Sequence, residues 1–468
     1  MYIFNTLSGE KELFTPLKKG EVGMYSCGPT VYNFAHIGNL RTYIFMDLLR
    51  RALRLEGLNV QTVMNITDVG HLVSDADEGE DKMAKASKEQ QKTPLEIADF
   101  YTKVFFDDIA SLNIGRPELV PKATEHIEDM IVFVQGLLEK GFAYETSDGI
   151  YFDILKFGNY GKLSGLKLED QIAGARVEVN EEKHHPADFA LWKKASPEHI
   201  MQWASPWGMG YPGWHIECSA MSRRYLGDTF DLHTGGVDHI PVHHENEIAQ
   251  SEALLGKKAV NYWMHGEFMM VNNGKMSKSL KNTYTVADLR EKGIDPLAFR
   301  YMCLNAHYRN KLNFTWKVMA SAEISYKRLL EAVLANKNAP SDNATKVEAA
   351  KALMEFKEAV LDDLNIPKAL GILWTMLRNG NKSMEIYTTA TEMDKILGID
   401  LDKCEQKLLL EQSKEEDEIP KELNLLLEQR TEARKNKNWA LSDQIRDQLN
   451  AAGYDIEDSK EGSRLKKK

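Results

Sequence analysis

The 468-residue chain has little of what marks a secreted, membrane-spanning or broadly nucleic-acid-coating protein. Its four cysteines, Cys27, Cys218, Cys303 and Cys404, are too few and too scattered for a disulfide framework, and a chain of this size does not need one. It contains no signal peptide and no uninterrupted apolar run long enough to cross a bilayer, which predicts a cytoplasmic protein. Positive charge is also short. Lys and Arg number 59 against 70 Asp and Glu, a net charge of −11, so any nucleic-acid contact has to rest on local basic patches. There is no internal repeat. One metal motif is incomplete: His244-Glu245 is followed by Asn246, Glu247 and Ile248, so the second His of HExxH is missing. What remains, 43% hydrophobic and 28% charged, is an ordinary globular composition with length for two or three domains.

The organising stretch is 21–57, EVGMYSCGPTVYNFAHIGNLRTYIFMDLLRRALRLEG. Val22–Ser26 reads as a short buried strand, and a loop with Cys27, Gly28 and Pro29 leads to His36-Ile37-Gly38-Asn39. The helix that follows sets Leu40, Ile44, Leu48, Ala52 and Leu55 on one face and stops at Gly57. Asn59–Ile66 reads as the next strand. Strand, loop, helix and strand make a right-handed crossover with parallel strands, which aims the loop and the helix N-terminus at whatever binds above the sheet. Backbone N–H groups and the helix dipole favour phosphate there, and a His beside it can stabilise developing charge. Taken alone, a His-Ile-Gly before a helix is equally a buried His followed by a packing Gly.

Further along, 70–92 is polar and reads as an exposed loop or short helix; Thr93–Leu112 and Glu125–Lys140 read as helices. Tyr144–Tyr160 and Gly174–Asn180 read as strand-rich, within an insertion from about 116 to 200. The sheet resumes near Gly213, with an apolar strand at Phe230–Leu232, a Gly235-Gly236 turn and a helix from about His243 to Leu255, stopped by Gly256. Tyr262–Val271 is apolar and leads into the Asn272-Asn273-Gly274 turn. Asp295-Pro296 reads as an N-cap followed by Pro at the first helical position, and helical patterns continue to about 397 with a break at Pro340-Ser341-Asp342. The acidic run Glu415–Glu418 reads as a solvated linker within 401–420, and a small unit closes the chain from Lys421.

The pairing of HIGN at 36–39 with Lys275-Met276-Ser277-Lys278-Ser279 resembles the two signature motifs of class I aminoacyl-tRNA synthetases. CGPTVYNFAHIG, NITD, HPADFALWK, GWHIECSAM, HHENEIAQ and KMSKSLKN resemble, in order, the cysteinyl-tRNA synthetase family. The resemblance implies an α/β fold: a Rossmann-type parallel-sheet catalytic domain over 1–310 with an insertion, a helical tRNA-binding stem over 311–400, an acidic linker over 401–420 and an anticodon-binding unit over 421–468. It also implies a monomer that acts on L-cysteine, ATP with magnesium and the cysteine tRNA. His243 and Glu247, four apart on a helix, lie on one face and can reach one ion. Spacing alone leaves Cys27 and Cys218 as small buried hydrophobes and the HHE run as a polar face. The resemblance places the family's zinc ligands on Cys27, Cys218, His243 and Glu247. Zinc binds thiolates well, so one Zn–S bond to the substrate would separate cysteine from serine by more than an apolar pocket can, without an editing domain.

The resemblance further implies that ATP lies between the two signature loops, with His36 and Asn39 at its phosphates or ribose and Lys275 and Lys278 on the β- and γ-phosphates. Nucleotidyl transfer needs positioning and charge neutralisation, which suits lysines on a loop. Asn39 stands where the family motif has His, and Lys281 where a Gly is common. Gly235, Gly236 and Asp238 resemble the ribose-side turn, Thr67 and Trp214 residues around the amino acid. The segment NITDVGHLVSDADEGEDKM departs from the shorter acidic run common in the family. In 430–447 Trp439, with Arg434, Lys435 and Lys437 beside it, resembles the anticodon-binding segment, suited to stacking on a base and to phosphates; composition alone favours a solvated amphipathic helix with one buried Trp. The Trp of the family's terminal run is missing from 457–465. Two rivals remain: a ligase joining cysteine to an amino-sugar, which shares the zinc and ATP sites but lacks the helical and anticodon-binding regions that the long C-terminal third supplies here, and a catalytically silent RNA-binding paralogue, against which the intact HIGN, KMSKS and zinc positions argue.

Overall fold

Four parallel strands form the central sheet of the protein, seen in a computed structural model that describes residues 1–70, 82–165, 181–276, 280, 282–417, 420–459 and 462–467. The first strand (β1, Glu21–Ser26) passes through the Cys27–Ala35 loop into a helix (α1, Ile37–Leu55) and returns as β2 (Asn59–Met64), paired in parallel from Glu21↔Asn59 to Ser26↔Met64. Gly57 turns the chain between them at φ +78°, in the left-handed region where a side chain is strained. The second half begins with a helix (α2, Trp214–Leu226) and continues through β3 (Phe230–Gly236), a helix (α3, Glu245–Leu255) and β4 (Val260–Gly266). β3 pairs with β1 on one side and β4 on the other, so the spatial order is β4-β3-β1-β2. The chain leaves β1 in one direction and β3 in the other. Their carboxyl ends therefore flank a topological switch point, the crevice where open α/β sheets bind ligands.

The predicted apolar face of α1 is buried at Leu40, Ile44, Leu48 and Ala52, but so are Tyr43, Phe45, Met46, Leu49 and Leu53. The helix is covered on two sides because the C-terminal helices share its core. Pro296–Leu304, Trp316–Leu334, Asn343–Leu361, Ile366–Arg378 and Met384–Leu397 form that layer. Asp295 caps the first of these, its Oδ1 accepting from Leu297 N at 2.8 Å, and Asp342 caps the third across the Pro340 break. Arg300, fully buried, joins the layers: its Nη2 donates to Asp47 Oδ2 of α1 at 2.7 Å, its Nη1 to Leu112 O at 3.0 Å and its Nε to Leu397 O at 2.7 Å.

The structure corrects several expectations. Gly235 and Gly236 are not a turn but the last residues of β3, paired with His265 and Gly266. The helix expected from His243 starts at Glu245, because Ile240–His244 is wound as a wider π turn. Residues 404–417, expected as linker, form a helix anchored by buried Cys404 and Leu408 on the helical layer; the apolar anchors outweigh the local charge. The insertion's five-stranded antiparallel sheet runs on to Pro212, past the expected end at 200. Gly174–Asn180, most of the segment after Asp68, Lys278, Lys281 and Glu418 lie outside the described residues. The C-terminal unit is a helix pair, Lys421–Lys435 and Trp439–Ala451, over a hairpin of Tyr454–Ser459 and Gly462–Lys467, with its own small core of Ile445, Leu449 and Leu465.

Candidate active site

At the switch point the sheet opens into a cleft of about 360 Å³. Its wall brings together Cys27, His36, Asn39, Thr67, Trp214 and Cys218, with Gly236, Asp238 and His243. Nine residues expected to act together, drawn from four separate stretches, thus share one cavity. Lys275 does not line it: it is exposed in the short strand Gly274–Lys275. The next residue, Met276, carries its methyl group to within 3.5 Å of where a Cβ on Gly38 would stand, so the two signature stretches are neighbours.

The loop after β1 is fixed from below. Cys27 N donates to Thr234 O of β3 at 3.3 Å, and Gly28 N to Asn65 Oδ1 at 2.9 Å. A Cβ on Gly28 would stand 1.6 Å from Asn65 O, so only glycine allows this approach. Asn65 passes the contact on, its Nδ2 donating to Thr67 Oγ1 at 3.0 Å, and Thr67 Oγ1 donates to Glu217 Oε2 of α2 at 2.9 Å. At the start of α1 the cap is reciprocal: Asn39 N donates to His36 Nδ1 at 3.1 Å and His36 N donates to Asn39 Oδ1 at 3.2 Å. An accepting Nδ1 leaves the His36 proton on Nε2, as a donor.

Cys27, Cys218, His243 and Glu247 place one ligand atom each within 4.8 Å of one another, all buried. Each is carried by a different element: the β1 loop, α2, the π turn and the first turn of α3. His243 Nε2 stands 3.1 Å from Glu247 Oε1, the i,i+4 contact expected from spacing. A second set, Cys27, His233, His244 and Glu247, meets the same distance test. It shares two residues with the first, and His233 and His244 do not line the cleft, whereas Cys218 and His243 do. Sequence reasoning missed these supporting histidines. His233 Nε2 holds Glu247 Oε2 at 2.8 Å, His215 Nδ1 faces His243 Nδ1 at 3.0 Å, and His244 Nδ1 meets His265 Nε2 at 2.7 Å. A carboxylate and an imidazole braced from behind in this way are oriented toward the shared centre.

The electrostatics suit a dication. Burial pushes the Cys27 thiol well up, and a hydrogen bond from it pulls Cys218 down to about 7, with His243 helping. Burial works against a charged His243, but Cys218 and Glu247 outweigh it and raise the imidazole to about 10. Burial would likewise raise Glu247, yet His233 and His243 hold its carboxyl down to about 2. Two thiols, an imidazole and a carboxylate at ligand spacing are a donor set that fits zinc, and the ion would displace the proton from His243. His239, also on the cleft wall, was not singled out in the sequence; its buried Nδ1 has no hydrogen-bond partner and its pKa falls to about 4, through burial first and then the neighbouring His243.

At the far end, Trp439 opens its helix with 59% of its surface exposed, so it is not a buried core Trp. Arg434 and Arg430 are both committed to Asp458. Among the described residues no helix is long and apolar enough to cross a membrane.

Comparison with known proteins agrees with this arrangement. The family model described as the tRNA synthetases class I (C) catalytic domain matches residues 13–324, and that of the cysteinyl-tRNA ligase anticodon binding domain matches 416–464. A cysteine–tRNA ligase of Treponema denticola is 45% identical over 480 residues, covering 97% of this chain and 97% of that one. One from Thermus thermophilus is 44% identical over 475 residues, covering 99% and 98%. Among solved structures, the Mycobacterium tuberculosis methionyl-tRNA synthetase in complex with methionyl-adenylate shares the fold, at a TM-score of 0.57 and 15% identity over 82% of this chain and 91% of that one. The chain belongs to the class I aminoacyl-tRNA synthetases and, within them, to the cysteine–tRNA ligases.

Proposed function

We propose that the cleft joins L-cysteine to its tRNA in two steps. The cysteine carboxylate first attacks the α-phosphorus of ATP, the bond to the bridging oxygen breaks, and pyrophosphate leaves a cysteinyl-adenylate. The terminal ribose 2′-hydroxyl of the tRNA then attacks the carbonyl carbon and AMP leaves. The observation that carries the reading is the convergence of Cys27, Cys218 and His243 on one wall of the cleft, with Glu247 within ligand distance behind them, at the carboxyl ends of β1 and β3.

Zinc held by those four residues would bind the substrate as a thiolate, which a serine hydroxyl cannot match because it ionises far less readily. Everything else falls to the chain. Trp214, half-buried with its ring 4.5 Å from that of His243, and Thr67 close the amino-acid end. The α1 N-terminus, the His36 Nε2–H and Asn39 face the triphosphate, which brings charge to the positive end of the helix dipole. Lys275 and Lys278 neutralise the β- and γ-phosphates, with magnesium accompanying ATP. Gly236 and Asp238 hold the ribose: a Cβ on Gly236 would stand 2.2 Å from Asp238 Oδ1, so glycine is needed for that carboxylate to sit there. The C-terminal unit, with exposed Trp439, reads the anticodon.

The test is amino-acid-dependent ATP–pyrophosphate exchange. Cysteine should support it and serine should not; comparable exchange with serine would overturn selection at the thiolate.

A further inference from the structure

Neither the helix Lys82–Gln90 nor the exposed rings beside it take part in the metal or ATP sites. Phe34, in the loop between β1 and α1, is 46% exposed, and Phe100, on the helix Pro94–Ser111, is 43% exposed. Their rings meet edge to face at 6.2 Å, and Phe34 meets Tyr101 in the same way at 5.0 Å. Phe34 and Tyr101 line the cleft, and Phe100, outside its lining, packs edge to face on both. Lys92 Nζ stands 5.2 Å from the centre of the Phe100 ring.

The helix Lys82–Gln90 is fixed to the same rings. It buries Met83 and Ala86 in a small core with Val31, Ile97 and Tyr101, and Gln90 Nε2 donates to Tyr101 Oη at 3.1 Å. With that face turned inward, Lys85 and Lys88 are exposed, as is Lys92. Among the described residues none of the three forms an ion pair. In a chain of net charge −11, this is a local run of exposed cations, Lys92 among them on the Phe100 ring, beside an aromatic rim at the cleft. Stacking faces interleaved with cations are what an unpaired nucleic-acid strand requires: rings for the bases, ammonium groups for the phosphates between them.

We propose that this rim, from Lys85 and Lys88 through Lys92 and Phe100 to Phe34, holds the unpaired 3′ end of the tRNA as it enters the cleft. The inference rests on the tRNA-charging reading and gives it an entry path. The rings stack on successive bases, and the lysines accompany the backbone.

The experiment uses the full chain with two transcripts, one complete and one lacking the unpaired 3′ nucleotides. Phe100→Ala should raise the Kd for the complete transcript about tenfold, the worth of one lost base stack, and Phe100→Trp should restore it. Binding of the shortened transcript should be the same for wild type and Phe100→Ala. Replacing Lys85, Lys88 and Lys92 together by Gln should reduce the slope of log affinity against log salt by about 2, at roughly 0.7 per single-strand phosphate. Cysteine-dependent pyrophosphate exchange, run in parallel, reports on the fold and the activation site. Unchanged binding of the complete transcript overturns the proposal. So does equal weakening of both transcripts, which would set the rings against folded RNA, and so do matched losses in exchange and binding, which would make the rim a structural prop. A wild-type protein that charges no transcript would overturn the tRNA-charging reading itself.

Discussion

His36 and Asn39 cap each other: each backbone N–H donates to the other's side chain, at 3.2 and 3.1 Å. The Asn in the fourth place of the motif is therefore the strut that orients the first residue. Asn39→Ala removes half of the cap, which should lower stability by about 0.5–1 kcal/mol and slow pyrophosphate exchange. Asn39→Asp keeps the acceptor, so thermal melting should return toward wild type. Exchange should stay slow, because a carboxylate then faces the phosphates. Melting and exchange rates measured on both variants separate the two effects; equal behaviour of Ala and Asp in exchange and in melting would deny the cap its role.

Two donor sets share Cys27 and Glu247, and the cleft wall favours the one with Cys218 and His243. Cys218→Ser should therefore lose the bound metal, while His244→Gln should retain it. Elemental analysis of the purified proteins, with circular dichroism to confirm folding, decides the matter. Metal lost from the His244 variant and kept by the Cys218 variant would reverse the assignment.

The Arg300–Asp47 pair, with both side chains fully buried, joins α1 to the helical layer. Burial alone would raise the Asp47 carboxyl; the charges of Arg300 and Arg51 and the Gly115 N–H outweigh it and hold it below the usual range. Asp47 thus contributes stability that is present above the unfolded carboxylate pKa, about 4, and lost as pH falls through the lower folded value. Arg300→Met leaves that charge short of its fully buried partner and should cost about 3–5 kcal/mol. Urea unfolding at pH 7 and below about pH 4 checks both, and the gap between wild type and variant should narrow in acid.

Deleting 421–468 should leave cysteine activation nearly intact, since the cleft residues run from Cys27 to His243 and the unit has its own core. Charging should fall on the order of tenfold, the equivalent of one 1.4 kcal/mol contact, and more at moderate salt. Both steps measured on the truncated protein settle the division of labour. If activation collapses as well, the unit is part of the catalytic fold.

The β1-α1-β2 unit was legible because its apolar spacing and its Gly57 stop act locally, within a few turns of chain. So was the i,i+4 contact of His243 and Glu247, which survives the π turn. Periodicity could not announce His233. It stands in Phe230–Gly236, a strand buried along its whole length, where apolar and polar residues do not alternate and a lone His carries no pattern. The contacts of Asn65 with Gly28 and of Glu217 with Thr67 were hidden for a similar reason: only the fold brings those residues together. The glycines of β3 were misread as a turn because Gly-Gly usually is one; here Gly235 leaves room for the His239 and His244 rings, which a Cβ would meet at 2.6 Å.

The order β4-β3-β1-β2 also sets a timetable. Cys27 leaves the ribosome about 190 residues before Cys218, an interval of roughly 10–40 s at synthesis rates of about 5–20 residues per second. β1 and β2 can pair at once, but the other edge of β1 stays unpaired until β3 arrives to fill it. Throughout that interval the nascent chain presents an open strand edge ending in a single unpartnered thiol. Cys27 is thus open to metal or oxidant on its own until β3 docks and Cys218, His243 and Glu247 gather around it.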